Sequence, residues 1–213
     1  MAAVPRRQSR AAQLILASAS PRRRQLLEAV GLRVLVMPAD IDETPWPAEP
    51  PERYVARLAL SKARITLDRV AKHRAAARLP VLAADTVVTI DGECLGKPVD
   101  RADALAMLRR LSGRTHDVLT AVVAARRTPN QPDVALAALS VTHVTFRVIT
   151  ATEARKYWAT GEPGDKAGAY GIQGVGGIFA EHIDGSFTGV MGLPMATAES
   201  LLRRIGVQTW LNR

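Results

Sequence analysis

Short apolar runs alternate with helix-forming segments along this chain, and this alternation limits the possible fold more than any other feature of the sequence. Leu14–Ala17 and Val34–Val36 are apolar runs of strand length. Between them a helix is predicted to begin at Ser20-Pro21, a serine cap followed by proline, and to end before Gly31. Strands that alternate with helices in this way favour an α/β fold.

In the middle of the chain, strands follow one another directly instead of alternating with helices. Val81–Ile90 is followed by Asp91-Gly92, a dipeptide typical of tight β-hairpins. Two further β-rich segments, Val118–Ala125 and Val134–Ile149, follow one another with no helix between them. Because helical crossovers and hairpins both occur, we expect a mixed, twisted sheet flanked by helices.

The remaining elements complete one predicted domain over residues 13–213. Further helices are predicted from Pro50-Pro51 to about Ala77, from an Asp100 cap to Leu111, from a Thr150-Glu153 capping box to Gly161, and from Pro194 to Arg204, with a last strand over Gly177–Ile183. No repeat or low-complexity linker divides the chain. Residues 1–12 are expected to form a basic, disordered tail.

Composition restricts the class of protein. The 213 residues are 47% hydrophobic, which is enough for a sizeable core, but no apolar run approaches the 18 residues of a membrane span. The amino terminus has no apolar segment typical of a secretory signal. A single cysteine, Cys94, forms no internal disulfide, so we expect a reducing, cytoplasmic location. The net charge of +9 favours a polyanionic partner, although arginines on solvated helix faces would give the same excess.

Ser18–Arg24 joins the first strand to the first helix and concentrates hydroxyls with three consecutive arginines. Helix N-termini attract anions through free N–H groups and the helix dipole. Arginines in a first turn oppose that dipole, and a bound anion would relieve the cost. The segment therefore predicts a phosphate cradle, with a well-capped helix and a solvated arginine face as the alternative.

Asp85 lies inside an apolar strand, where an unpaired carboxylate costs several kcal/mol, so a cationic or metal partner is expected. The alternative is an acid at a bulge or strand end. Glu43, in an irregular loop, could reach the same place. Lys62 lies beside apolar neighbours on the long helix, and Lys97 follows the hairpin; either lysine by itself would be an ordinary surface residue.

The segment from Glu162 to Gly174 is the most unusual of the chain, because its glycines permit close approach of the backbone to a ligand. Gln173 within it offers one hydrogen-bond donor and one acceptor side by side. A flexible linker is the alternative, but Ala169 and Tyr170 make the segment more apolar than a linker.

Several of these segments together resemble the Maf family of nucleoside triphosphate pyrophosphatases over Leu14–Ile205. The motifs that carry the resemblance are Ser18-Ala-Ser-Pro-Arg-Arg23, Asp42-Glu43, Ser61-Lys62-Ala63, Ala84-Asp85-Thr86, Gly96-Lys97-Pro98, Ser112-Gly113-x-Thr115-His116 and Asp165-Lys-Ala-Gly-Ala-Tyr-Gly-Ile-Gln-Gly174. The small departures, such as Ala19 where glycine is common, do not touch these chemical groups.

The resemblance implies a Maf/ITPase-like α/β fold with two lobes around a deep cleft, a cytoplasmic homodimer, and a hydrolase that depends on a divalent metal and acts on nucleoside triphosphates. It is closest to the members that act on dTTP and UTP. In those members the positions of Arg22, Thr86 and Gln173 mark the choice of substrate.

Physical reasoning assigns a role to each candidate. Ser18, Arg23, Lys62 and Lys97 would bind the triphosphate, while Glu43 and Asp85 would hold Mg²⁺ or Mn²⁺. Asp85 would also act as the base that deprotonates water, either directly or through the metal. Gln173 could pair with the N3–H and O4 of uracil or thymine.

Two alternatives to hydrolysis of dTTP and UTP stay open. One is the same chemistry on another noncanonical or methylated nucleotide, including modified pyrimidines. The other is a nucleotide- or nucleic-acid-binding regulator of cell division that keeps the pocket. We expect no membrane association, and no nucleic-acid partner, because the carboxylates of Glu43 and Asp85 would repel a phosphate backbone in the absence of metal.

Overall fold

The computed structural model describes residues 11–72, 77–128 and 131–210. In chain order the strands and α-helices are β1 (Leu14–Leu16), α1 (Pro21–Ala29), β2 (Val34–Val36), α2 (Pro51–Ala71), β3 (Val81–Ile90), β4 (Glu93–Leu95), α3 (Arg101–Leu111), β5 (Thr115–Arg126), β6 (Val134–Phe146), α4 (Ala151–Trp158), β7 (Ala180–Asp184), α5 (Phe187–Val190) and α6 (Met195–Arg204). Three short 3₁₀ helices occupy Glu162–Asp165, Ala167–Ala169 and Val175–Phe179.

The strands form one mixed seven-stranded sheet in the order β2-β1-β3-β5-β6-β7, with β4 paired to β3 outside this path. β1 is parallel to β2 and to β3, and helices occur in both of these connections. The pairs β3–β4, β3–β5, β5–β6 and β6–β7 are antiparallel. The predicted α/β fold with a mixed sheet is thereby confirmed.

The edge of β3 is uncovered for several residues in the middle of the strand. β1 pairs with β3 only at Val81 and Leu82, after which β1 ends and the chain turns into α1. β4 pairs with the same strand only from Val88 onward. Asp85 and Thr86 therefore lie where two neighbouring strands have separated, a position at which open α/β sheets commonly form a ligand crevice.

Buried side chains surround this opening from three directions. On one face of the sheet α2 packs through Val55, Ala59 and Ala63, and on the other face α6 packs through Leu201 and Leu202. The third cluster lies beyond Val88 and contains an aromatic group, Phe146, Tyr170 and Phe179, together with side chains of α3 and α4. The opening thus separates the part of the molecule around β1 from the part around β4. This is the predicted arrangement of two lobes around a cleft.

Some predicted boundaries need correction. α2 ends at Ala71 rather than Ala77, and residues 73–76 lie outside the described ranges, as do residues 1–10 of the predicted tail. Ser20 occupies the N-cap position of α1, but its side chain makes no capping hydrogen bond. Sequence patterns missed α5, since four residues are too few to show helical periodicity. The capping box of Thr150 and Glu153 is present in full.

Candidate active site

A cavity of about 830 Å³ opens at the uncovered edge of β3, a volume typical of small-ligand sites. Every residue that the sequence predicted for the site lines this cavity. These residues are Ser18, Arg22, Arg23, Glu43, Lys62, Asp85, Thr86, Lys97 and Gln173. The separate segments of the chain therefore converge on one place.

At the base of the cavity Lys62 lies between two carboxylates. Its Nζ is 2.5 Å from Oδ1 of Asp85 and 2.5 Å from Oε1 of Glu43. The Asp85 side chain is 12% exposed and that of Lys62 11%, whereas that of Glu43 is 54% exposed and reaches in from a loop. Two negative charges from different segments thus share one positive charge.

Burial shifts the acid–base equilibrium of the Asp85 carboxyl. It raises the pKa of Asp85 above its usual value, because the charged form loses hydration inside the protein. Lys62 and Arg23 act in the opposite direction and the charge of Glu43 reinforces the rise, yet burial outweighs the attraction to the two cations. A carboxylate held in this way is a stronger base than an exposed aspartate.

Arg23 is buried and its guanidinium is held by three protein contacts. Nε donates to the carbonyl of Gly192 (2.7 Å), Nη1 to Oγ of Ser18 (3.0 Å) and Nη2 to Oγ1 of Thr86 (3.1 Å). One N–H on each terminal nitrogen then remains for a ligand. Burial lowers the pKa of Arg23, but an arginine stays charged in proteins, so the cavity keeps a fixed positive charge.

Thr86 supports Arg23 through a chain of hydroxyl groups. Thr120 donates its hydroxyl proton to the carbonyl of Gly189 (2.9 Å), so the Thr86 hydroxyl must donate to Thr120 (2.9 Å) while it accepts from Arg23. The role of Thr86 in substrate choice stays a prediction; the structure adds that its hydroxyl fixes the position of an arginine.

The loop that carries Glu43 is fastened to α2. The Tyr54 hydroxyl donates to the Glu43 carbonyl (2.9 Å), and Arg57 donates to the Thr44 carbonyl (3.1 Å) while it pairs with Glu49 (2.6 Å). Burial, followed by the charges of Asp85 and Glu43, raises the pKa of Tyr54 to about 12, so its hydroxyl stays protonated and keeps donating.

The remaining cations are nearer the rim. Nη1 of Arg22 lies 3.9 Å from Oδ2 of Asp165, which also pairs with Lys166. Lys97 is exposed and, within the part of the chain that the structure describes, forms no ion pair. These cations would meet the outer part of a bound anion.

Gln173 is exposed on the cavity wall and belongs to a glycine-rich segment that packs against the rest of the molecule. The N–H of Gly168 donates to the carbonyl of Gly96 (3.0 Å), and this bond ties the segment to the chain next to Lys97. The segment is therefore part of the fold and not the flexible linker that was the alternative.

The carboxylates fit a divalent ion that is shared with a phosphate ligand. Among residues 11–72, 77–128 and 131–210, no group of three or more His, Cys, Asp or Glu side chains is placed to hold a metal ion. However, Mg²⁺ is usually held by one or two carboxylates, with substrate phosphates and water completing its shell. Glu43 and Asp85 already approach a single cation, Lys62, and so provide such a pair.

Sequence reasoning missed the groups that orient these side chains, chiefly Tyr54, Arg57 and Thr120. One signal was available: Tyr54, Leu58 and Lys62 are spaced four residues apart and so share one face of α2. No local pattern marks the carbonyls of Gly189 and Gly192, because they reach Thr120 and Arg23 through tertiary contacts alone.

Comparison with known proteins identifies relatives over nearly the whole chain. A family model described as "Maf-like protein" matches residues 13–205. The chain belongs to the Maf family. It is 50% identical over 199 residues to the dTTP/UTP pyrophosphatase of Bordetella avium (strain 197N), covering 92% of this chain and 96% of that protein. It is 48% identical over 199 residues to the dTTP/UTP pyrophosphatase of Pasteurella multocida (strain Pm70), covering 92% of this chain and 97% of that protein.

Among solved structures, a HAM1 protein from Coxiella burnetii is similar to this Maf protein with a TM-score of 0.43 and 19% sequence identity, covering 64% of this chain and 73% of that one. At that level of similarity it adds nothing to the argument. In the described part of this Maf chain, every helix is too short or too polar to cross a membrane.

Because the pKa of Asp85 is raised, the charged Asp85 carboxylate destabilises the fold of this Maf protein, and its removal is expected to stabilise the fold. A group whose pKa is raised on folding stabilises the folded state below its unfolded pKa, and that contribution is lost as the pH rises through the folded pKa. We expect Asp85→Asn to raise the melting temperature at pH 8, with a gap to wild type that narrows as the pH falls. Thermal unfolding between pH 4 and pH 8 measures this.

Asp133→Asn is a control in which the expected change of melting temperature has the opposite sign. Arg127 lowers the pKa of Asp133, so this carboxylate stabilises the fold above its unfolded pKa and ceases to do so as the pH falls. Asp133→Asn should therefore melt below wild type at pH 8 and approach it in acid. A melting temperature of Asp85→Asn below wild type at pH 8 would show that the pair with Lys62 outweighs burial.

Proposed function

We propose that this protein is a nucleoside triphosphate pyrophosphatase that hydrolyses dTTP and UTP to the monophosphate and pyrophosphate. The observation that carries the proposal is the Lys62 ammonium held between Asp85 and Glu43, beside the buried Arg23, in one cavity. Relatives about 50% identical over more than nine-tenths of the chain bear the name dTTP/UTP pyrophosphatase, and this supports the choice of reaction.

The cations of the cavity suit a triphosphate of about four negative charges, because phosphoryl transfer requires mainly positioning and charge neutralisation. Arg23 offers two N–H groups that are already oriented by Ser18, Gly192 and Thr86. Lys62 and Lys97 line the same cavity, and Arg22 at the rim can exchange Asp165 for a phosphate oxygen.

Asp85 is suited to act as the base. In the proposed step it takes a proton from water, the water oxygen forms a bond to the α-phosphorus, and the bond from that phosphorus to the oxygen that bridges to the β-phosphorus breaks. The electron pair leaves with pyrophosphate, and the nucleoside monophosphate remains. The raised pKa of Asp85 favours proton transfer, and Lys62 holds the carboxylate in place.

Glu43 and Asp85 are the residues that would hold Mg²⁺ or Mn²⁺. When bound, such an ion would neutralise phosphate oxygens and lower the pKa of water near it. The tether from Tyr54 to the Glu43 carbonyl keeps this exposed carboxylate at the cavity and reduces the entropy lost when a cation binds.

Gln173 would select the base. Its amide can accept from the N3–H and donate to the O4 of uracil or thymine, and a base with the wrong pattern would leave the amide and its own polar groups unmatched. Arg22 and Thr86 would influence the choice through the phosphate side of the cavity, because Thr86 fixes Arg23.

We also propose that the protein is a homodimer in a reducing, cytoplasmic compartment, which its lone cysteine suits. In the described part of the chain, β7 pairs with β6 only at residues 143–146, so residues 134–142 of β6 have no strand paired to that edge. Leu139 and Val141, on one face of that open part, are 41% and 43% exposed. A second copy would cover both the edge and these side chains.

We expect the molar mass in solution to be twice 22.9 kDa, because an open apolar strand edge is costly in a monomer. Light scattering after size-exclusion chromatography at micromolar protein measures this directly. A mass of 22.9 kDa under the assay conditions would contradict the dimer and leave the proposed reaction unaffected.

Asp85→Asn should abolish turnover, with kcat falling by at least about 10²–10⁴-fold, because the variant lacks the base. Glu43→Gln should raise the Mg²⁺ concentration needed for half-maximal rate by at least about tenfold. Pyrophosphate release from each common triphosphate, with Mg²⁺ or Mn²⁺ and with a chelator, measures both effects and also identifies the substrate.

Asp42→Asn is the matched control, since its carboxylate accepts from the Thr44 N–H and does not line the cavity. Turnover by Asp85→Asn at the rate of Asp42→Asn would refute the proposed base. Binding of DNA that weakens steeply with salt, without metal-dependent turnover, would instead support the nucleic-acid-binding alternative. Preference for a methylated or other noncanonical nucleotide would support the alternative substrate class.

Gln173→Ala should lower base selection more than catalysis. The ratio of kcat/KM for dTTP to that for dATP should fall by roughly tenfold, the cost of one lost hydrogen bond to the base. Gln25→Ala, an exposed glutamine on α1 outside the cavity, is the control. If Gln173→Ala keeps the selectivity of wild type, pairing of Gln173 with the base is wrong.

A further inference from the structure

The carboxylate of Glu162 is surrounded by donors from α4 and from the glycine-rich segment, which extends over residues 161–177. Its Oε2 accepts from the N–H of Val175 (2.8 Å), and its Oε1 accepts from the N–H of Gly176 (3.1 Å) and from the hydroxyl of Tyr157 (2.7 Å). Glu162 lines the cavity, but two backbone N–H groups and one hydroxyl bind its carboxylate, so its charge is neutralised by the protein itself.

Tyr157 continues this arrangement on the other side of Gln173. While its hydroxyl donates to Glu162, it accepts from the N–H of Gly171 (3.0 Å). The two side chains therefore bind the backbone both before and after Gln173. The ring of Tyr157 is buried against Phe179, at 5.1 Å between ring centres, so the anchor is connected to the core.

The glycines of the segment leave the space that this arrangement needs. A Cβ on Gly174 would overlap the Glu162 carboxylate, and a Cβ on Gly176 would overlap the Tyr157 hydroxyl. Burial by itself would raise the pKa of Glu162, but the bonds from Tyr157, Gly176 and Val175 together lower it, so the group stays a charged acceptor.

We propose that Glu162 and Tyr157 are positioning residues for base selection, because they fix the backbone on both sides of Gln173. This inference rests on the proposed function. The neutral amide of Glu162→Gln presents an N–H₂ group to at least one N–H or O–H donor and repels it. Tyr157→Phe keeps the ring but removes the bonds to Glu162 and Gly171.

In steady-state assays of the full chain, Glu162→Gln and Tyr157→Phe should each lower the ratio of kcat/KM for dTTP to that for dATP by about 10- to 100-fold, the cost of displacing a positioning group by about 1 Å. Most of the change should fall in KM for dTTP, because the base is remote from the reacting phosphorus. Combined with Gln173→Ala, Glu162→Gln should cause no further loss of selectivity, since both act through one side chain.

Glu153→Gln is the matched control. Glu153 lies in the first turn of α4 and, like Glu162, carries a lowered pKa, but its carboxylate binds Thr150 and Arg147 and does not line the cavity. This variant should lower the melting temperature and leave selectivity unchanged. In Gly174→Ala, the added Cβ would overlap the Glu162 carboxylate and displace it. This variant should therefore reproduce the loss of selectivity caused by Glu162→Gln.

Selectivity equal to wild type in Glu162→Gln, Tyr157→Phe and Gly174→Ala would overturn the inference and leave the proposed function intact. A wild-type protein that hydrolyses no triphosphate would overturn the proposed function and base selection together. In that case amide hydrogen exchange at Val175 and Gly176, which should be faster in Glu162→Gln than in wild type, still shows whether Glu162 holds the segment.

Discussion

The buried Asp85 carboxylate must be compensated, and the rest of the site follows from that requirement. Lys62 supplies the compensation from α2, and Glu43 approaches the same ammonium from a loop that α2 holds through Tyr54. Burial still outweighs the attraction, so the pKa of Asp85 is raised. The protein thus keeps a destabilising charge in the cavity, where the proposed reaction needs a base, and such a cost is typical of functional sites.

The sheet creates the place for this charge. β1 pairs with β3 only up to Leu82, and β4 pairs with β3 only from Val88. Residues near Asp85 therefore have no strand on one side, and the cavity lies there. Arg23 enters that space from the first turn of α1 and is bound by Ser18, Thr86 and Gly192. A buried guanidinium held by three hydrogen bonds would lose little entropy on binding a phosphate. The bonds that orient Arg23 would therefore also increase its affinity for the phosphate.

Sequence reasoning reached much of this arrangement, and the limits have physical causes. Apolar patterns and caps are local, so β2, β3, α3 and the capping box of α4 were predicted with their observed bounds or nearly so. The unusual position of Asp85 in an apolar strand predicted a cationic partner, and Lys62 provides one. Nothing local predicts that Gly192 accepts from Arg23, or that Glu162 binds the backbone of Val175, because tertiary packing alone brings these groups together. α5 was missed because four residues show no period.

The central claim is that Glu43 and Asp85 form a cation-binding pair beside a triphosphate held by Arg23. Anomalous diffraction from a crystal grown with Mn²⁺ and a non-hydrolysable dTTP analogue tests it most directly. We expect one manganese peak in contact with both carboxylates, with the phosphate tail bonded to Arg23. A peak remote from Asp85, or a phosphate tail that leaves Arg23 without a contact, would contradict it.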